Sequence, residues 1–290
     1  MTGDAAESPT LSPEEKARRA ASFGGIASHY ERYRPGPPLE AVDWILPEGA
    51  RTVVDLGAGT GALTRLLVGR VPDVVAVEPD DRMRAVLSEA VPSARSVAGR
   101  GESMPLPDAS ADAVIASTSW HWMDLVPTLT EVARVLAPGG VLGVLWTGPD
   151  RDAAFMAQAQ AAMSAFGMSG GTGGTGENGE NGENGENDEG ATELAKMIND
   201  PAAGHQVLEI PPGVPFDQPE TTEFKWDQAL TADDLLGLLG TFSWVILMDE
   251  DARRGLYEMA RALLHQEGIE GGATIDVGYS AAVWKARRHS

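Results

Sequence analysis

Between residues 52 and 146, short apolar runs alternate with stretches of helical period. Thr52-Val-Val-Asp-Leu56, Val74-Val-Ala-Val77, Ala113-Val-Ile-Ala116 and Val141-Leu-Gly-Val-Leu-Trp146 read as buried strands, and Ala94 to Ala98 as a short strand between the second and the third of them. Residues 60–69, 80–90 and 125–136 carry the helical pattern, the last stopped by Pro138-Gly139-Gly140. A strand that is apolar on both faces needs cover on both faces, and parallel neighbours need a crossover, usually a helix. The alternation therefore predicts an α/β fold with a mostly parallel sheet between two helical layers.

The remainder reads differently. Helix is expected over 151–166, 231–239 and 250–266, and strand over 221–228 and 274–285. Thr231 is the expected N-cap of its helix, with Asp234 at capping-box spacing. The strand over 274–285 would finish the sheet in the antiparallel sense. Residues 169–190 are Ser169 followed by Gly, Thr, Glu and Asn with a closing Asp-Glu-Gly, and Gly-Glu-Asn occurs four times from Gly176 to Asn187. That segment holds six carboxylates and no apolar group larger than a Thr methyl, so it reads as a solvated linker. The expected organisation is a disordered tail over 1–22, a core over 23–168, the acidic linker over 169–190, and a C-terminal part over 191–290 that completes the sheet and the substrate pocket.

Composition removes several functions. The chain has no cysteine, which excludes a disulfide framework, a thiolate zinc site and a cysteine nucleophile. No metal-ligand spacing stands out. A formal charge of −21 opposes binding to nucleic acid and anionic membranes. Residues 1–22 lack the apolar core of a signal peptide, and no apolar stretch is long enough for a membrane span, so a cytoplasmic location is expected.

The sharpest motif is Asp55-Leu-Gly57-Ala-Gly59-Thr-Gly61, where the first strand meets its helix. Glycines there let a ligand approach the backbone. Glu78 ends the second strand, about twenty residues later, where a carboxylate can accept from both hydroxyls of a ribose. Two ligand classes fit: a dinucleotide such as NAD, and S-adenosylmethionine. Asp55 sets a carboxylate near the turn, which opposes a pyrophosphate and favours a ligand with an ammonium group.

These residues resemble a class I S-adenosylmethionine-dependent methyltransferase of the type 11 branch. The resemblance extends to Gly99-Arg-Gly-Glu-Ser-Met-Pro-Leu-Pro-Asp108, Asp112-Ala-Val-Ile-Ala-Ser117 and Glu131-Val-Ala-Arg-Val-Leu-Ala-Pro-Gly-Gly140. Trp120-His-Trp-Met-Asp124 and Ser22-Phe-Gly-Gly-Ile-Ala-Ser-His-Tyr-Glu-Arg-Tyr-Arg-Pro35 are similar to the trans-aconitate methyltransferase subgroup. The likeness covers residues 23–146 well. It implies a Rossmann-like, doubly wound, seven-stranded sheet with helices on both faces and an antiparallel C-terminal strand. It implies backbone contacts to S-adenosyl-L-methionine at Gly57, Gly59 and Gly61, with Asp55 at the ammonium end, Glu78 on the ribose, and Pro79 and Met83 by the adenine. Gly101 and Glu102 would lie at the adenine edge, and Ser117 and Trp120 at the end of the fourth strand.

Trp120, His121 and Trp122 stand where reacting centres of open parallel sheets lie. His121 is a candidate base, and more readily a residue that positions the cofactor. Phe23, Tyr30, Tyr33 and Arg34 form a candidate lid or acceptor site together with Trp122. In-line displacement needs aligned nucleophile and methyl, and a base only for a protonated acceptor. Cytosine-C5 methylation needs a cysteine. Nucleic-acid amino methylation uses an Asn-Pro-Pro-Tyr type run where this chain has Ser117-Thr-Ser-Trp. A small-molecule acceptor is therefore expected. The rival readings are an inactive cofactor-binding accessory protein and an NAD-dependent oxidoreductase.

Overall fold

The computed structural model describes residue 18, residues 22–150 and residues 210–289. Most of the expected tail, the helix over 151–166, the acidic linker and the start of the C-terminal part lie outside the described residues. The strands are β1 (Thr52–Leu56), β2 (Asp73–Val77), β3 (Arg95–Val97), β4 (Ala111–Ser117), β5 (Leu136–Pro149), β6 (Glu220–Thr231) and β7 (Thr274–Arg287). They form one sheet in the order β3-β2-β1-β4-β5-β7-β6. Neighbours among β1 to β5 are parallel, while β7 runs antiparallel to both β5 and β6. The antiparallel strand is thus present, with β6 outside it at the edge.

The helices are α1 (Ala27–Tyr33), α2 (Leu39–Ile45), α3 (Ala62–Leu67), α4 (Asp81–Ala90), α5 (Leu125–Val135), α6 (Ala232–Leu239), α7 (Ser243–Ile246) and α8 (Glu250–Gln266). One face of the sheet buries Val53, Ile115 and Leu145 against Val42 and Ile45 of α2 and Leu63 and Leu67 of α3. The other buries Val54, Val114 and Leu142 against Leu129 and Val132 of α5. Each buried aliphatic side chain contributes about 1.5–3 kcal/mol. No helix of the described residues is long and apolar enough to cross a membrane.

Three local differences from the sequence reading have physical causes. The helix expected over 60–69 shortens to α3, because the glycine turn takes residues 57–61. Pro138-Gly139-Gly140 does not separate a helix from a strand. β5 already begins at Leu136, opposite Ala111, and bulges before Val141 pairs with Ala113. A Cβ at Gly140 would stand 2.9 Å from the Ala137 carbonyl oxygen, so the backbones pass close there. Helix α2 went unread; it follows Pro38 and buries Ala41, Val42 and Ile45.

Two motif stretches hold the loop before β4. Glu131 Oε1 accepts from Met104 N at 2.6 Å, and Arg134 donates to the carbonyls of Leu106 (2.8 Å) and Met104 (3.1 Å) and to Asp108 (2.6 Å). The capping box at α6 is formed, with Asp234 N donating to Thr231 Oγ1 (3.2 Å) and Thr231 N to Asp234 Oδ2 (3.0 Å).

Candidate active site

The glycine turn lies beyond the carboxyl ends of β1 and β2. Gly57, Gly59 and Gly61 have φ of +68°, +58° and +98°, the left-handed region that favours glycine. The amides of Gly57 and Ala58 donate to the Val77 carbonyl at 2.8 and 3.1 Å, which fixes the turn to the end of β2. A Cβ at Gly57 would approach Ser119 Cβ to 2.7 Å. At Gly61 it would meet Leu87 at 3.1 Å and Val91 at 3.3 Å, so this glycine serves the packing of α4. At Gly59 only Met83 Cε comes near, at 3.7 Å, which leaves that backbone open to a ligand.

Two buried carboxylates flank the turn. Glu78 Oε2 accepts from Gly59 N at 2.8 Å and Oε1 from Asp80 N at 2.9 Å. Each oxygen keeps a further acceptor site. Burial pushes the Glu78 carboxyl above its ordinary range, against the lowering effect of those two amides. Asp55 is 1% exposed. Its Oδ2 accepts from Thr64 Oγ1 at 2.6 Å, and its Oδ1 has no hydrogen-bond partner among the described residues. Burial raises its pKa to about 7; the Thr64 hydroxyl acts to lower it and the Glu78 charge to raise it further. An orphaned carboxylate oxygen beside an open glycine backbone suits a cationic group.

The residues expected at the adenine edge are tied down. Gly101 lies under Met123, whose Sδ would be 2.6 Å from an added Cβ, and Glu102 Oε1 accepts from Asp124 N at 2.8 Å ahead of α5. Pro79 bridges Glu78 to Asp80, and Asp80 caps α4 by accepting from Arg82 N (2.8 Å) and Met83 N (3.3 Å).

At the end of β4, half-buried Ser117 leads into Thr118 at φ +53° and a 3-10 turn over Trp120–Trp122. Trp120 belongs to the core. The His121 ring lies 4.3 Å from Trp122 and 4.4 Å from Trp146. Phe23 is 5.9 Å from Trp122 and 5.6 Å from Tyr30. A row of rings thus runs from the end of β5 to α1. Gly24 rests on Asp80 and Arg82, where any Cβ would overlap them. Tyr33 turns away from this row: it packs on His29 at 4.7 Å and covers Gly237 of α6. Arg34 lies over the rings of Tyr30 (5.8 Å) and Phe242 (5.1 Å). The structure thus gathers Asp55, Gly57, Gly59, Glu78 and Met83 at one end, and Phe23, Tyr30, His121 and Trp122 at the other. Sequence reasoning missed Thr64, which holds Asp55, and Trp146, which packs on His121. Trp146 was legible as an aromatic ending a strand; Thr64 carries no motif.

Residues 54–144 match the family described as a methyltransferase domain. The chain is 52% identical over 129 residues to an uncharacterized methyltransferase of Mycobacterium tuberculosis, covering 44% of this chain and 53% of that one. It is 33% identical over 134 residues to an uncharacterized methyltransferase-like protein of Schizosaccharomyces pombe, covering 44% and 52%. The chain therefore spans about half the length of these relatives. A solved structure of a candidate type II methyltransferase from Anaeromyxobacter dehalogenans shares the fold, with a TM-score of 0.54 at 22% identity over 88% of this chain and 98% of that one. The residues present fit S-adenosylmethionine. The open Gly59 backbone, the spare acceptor sites of Glu78 and the orphaned Asp55 oxygen match a ribose and an ammonium.

Proposed function

We propose that this chain moves a methyl group from S-adenosylmethionine to a small-molecule acceptor by in-line displacement at the methyl carbon. The observation that carries this reading is the pairing of Glu78 with the Gly59 amide beside the orphaned Asp55 oxygen. When bound, the cofactor supplies an electrophilic methyl on a sulfonium. Glu78 accepts the ribose hydroxyls, Asp55 faces the ammonium, and Pro79 and Met83 border the adenine. Phe23, Tyr30, Trp122 and Trp146 exclude water at the reacting end, and their ring faces favour a cation. His121, held against two indoles, positions the site rather than taking a proton.

The charge of −21 supports a small acceptor over nucleic acid or a membrane surface, and a cytoplasmic location agrees with it. The Trp120-His-Trp-Met-Asp124 run supports placement near the trans-aconitate methyltransferase subgroup as a likeness of motif. A thermal-shift assay tests the cofactor, since a ligand that binds only the native state raises the melting temperature. S-adenosylhomocysteine should raise it and NAD should not; stabilisation by NAD alone would overturn the reading.

A further inference from the structure

Arg34 and Tyr279 both lie outside the segment that matches the methyltransferase domain. The Arg34 guanidinium is held between the rings of Tyr30 and Phe242. Its hydrogen bond to Thr241 Oγ1 is long, at 3.4 Å, and no carboxylate among the described residues pairs with it. A half-buried arginine without a carboxylate is unexpected in a chain of charge −21. Tyr279 is 2% exposed and stacks on Trp226 at 5.5 Å, yet its hydroxyl has no hydrogen-bond partner among the described residues. Buried hydroxyls without partners call for an explanation. Burial pushes this phenol up to about 12, and the nearby Arg34 charge acts to lower it, so at neutral pH the hydroxyl is a donor.

A third donor lies on the same side. Thr147 pairs with Ala281 and Pro149 with Tyr279, so Thr147 and Tyr279 share a face of the sheet. Thr147 is 7% exposed, and its Oγ1 also has no partner among the described residues. Arg34 reaches this side through Phe242, which lies 5.1 Å from its guanidinium and packs against the cluster that holds Tyr279, and Thr147 stands near the carboxyl end of β5, where ligands bind in parallel sheets. The position adjoins the cofactor turn: a Cβ on Gly36, two residues beyond Arg34, would lie 3.5 Å from the Ala62 carbonyl oxygen at the start of α3.

We propose that Arg34 and Tyr279 hold a carboxylate of the methyl acceptor, distinct from the atom that is methylated. The inference rests on the methyltransferase reading above. One guanidinium and one phenol balance a single negative charge, so they suit a carboxylate better than a phosphate dianion. The aromatic walls exclude water from the pair, which strengthens it.

The test is calorimetry on the full chain saturated with S-adenosylhomocysteine. The probes are benzoate and glutarate, their neutral amides, and phenyl phosphate. The carboxylates should bind at least about tenfold more tightly than the amides and the phosphate. Tyr279→Phe, which keeps the stack on Trp226, and Arg34→Gln should each weaken carboxylate binding about tenfold. Both should leave S-adenosylhomocysteine affinity unchanged, and Arg34→Lys should restore part of the loss. If S-adenosylhomocysteine binds but the carboxylates bind no better than their amides, or phosphate binds best, or the variants bind as the parent does, the carboxylate site is overturned alone. If S-adenosylhomocysteine itself fails to bind, the methyltransferase reading falls and the site with it.

Discussion

Asp55 is held in the folded chain at a pKa of about 7, against an ordinary 3.8. Between about pH 4 and 7 the folded state therefore keeps a proton that the unfolded chain has lost. Stability falls as pH rises through that window, and the whole cost is present above about 7. Asp55→Asn keeps an oxygen for the Thr64 hydroxyl and removes the charge. It should be more stable than the parent at pH 8 without ligand, by a few kcal/mol at most at about 1.4 kcal/mol for each pKa unit, and so melt at a higher temperature. The gain should vanish at pH 4; an equal gain at both values would mean that the Asp55 charge is not its source. The same carboxylate must ionise to face an ammonium. Affinity for S-adenosylhomocysteine should thus fall between pH 8 and 6 in the parent and stay flat in Asp55→Asn, as calorimetry at several pH values would report. Glu78 gives a simpler expectation. A charge-assisted hydrogen bond is worth about 1.5–3 kcal/mol, so Glu78→Ala should weaken S-adenosylhomocysteine binding roughly 10- to 150-fold. An unchanged dissociation constant would remove Glu78 from the ribose.

Helix α1 joins the two ends of the site, because Gly24 before it sits on Asp80 and Tyr33 at its end covers Gly237 of α6. Gly237 has no left-handed φ, so only space forbids a side chain there. Gly237→Ala should lift Tyr33 and loosen α1. Hydrogen exchange should quicken at the amides of residues 30–34 and remain slow in β1 and β4; unchanged protection over 30–34 would show that α1 is not held from that side. Thr231→Ala removes the N-cap of α6 and should cost about 1 kcal/mol, read from the denaturant midpoint. That cap was legible because a capping box is a local signal. So were β1, β2 and β4, whose residues are apolar on both faces, and the glycine turn between Asp55 and Gly61. Other features depend on partners far away in the chain. The position of β7 between β5 and β6 is fixed by pairing, and nothing within residues 274–285 announces it. Tyr33 meets Gly237, and Glu102 meets the amide of Asp124, only once the sheet has brought them together. Helix α2 was legible in principle, since Ala41, Val42 and Ile45 recur at helical spacing after Pro38.

For the whole molecule, the chain leaves the sheet after β5 and returns ahead of β6, and both points are pinned by bonds of their own. Asp150 N donates to the Gly278 carbonyl at 2.7 Å, and Lys225 Nζ stands 3.0 Å from Asp150 Oδ1. On the return, Phe216 bridges to Arg288, and Asp217 N donates to the Arg287 carbonyl at 2.9 Å. β5 and β7 pair continuously from Val141↔Arg287 to Pro149↔Tyr279. The sheet therefore closes through contacts among the described residues. By composition that segment offers no side chain suited to methyl transfer and nothing apolar to anchor it over the acceptor. Halving a loop of this kind changes its closure cost by about 0.6 kcal/mol. Replacing residues 169–190 with a short Gly-Ser linker should move the melting temperature by no more than about 2 °C and leave S-adenosylhomocysteine affinity and methyl transfer unchanged. The replacement also removes six of the carboxylates behind the net charge of −21, so solubility at low salt should fall even though the fold does not change. The comparison to make is turnover and melting temperature of the replaced and full-length chains. A replaced chain that melts normally but loses turnover would mean that the acidic segment orders over the acceptor, contrary to its composition.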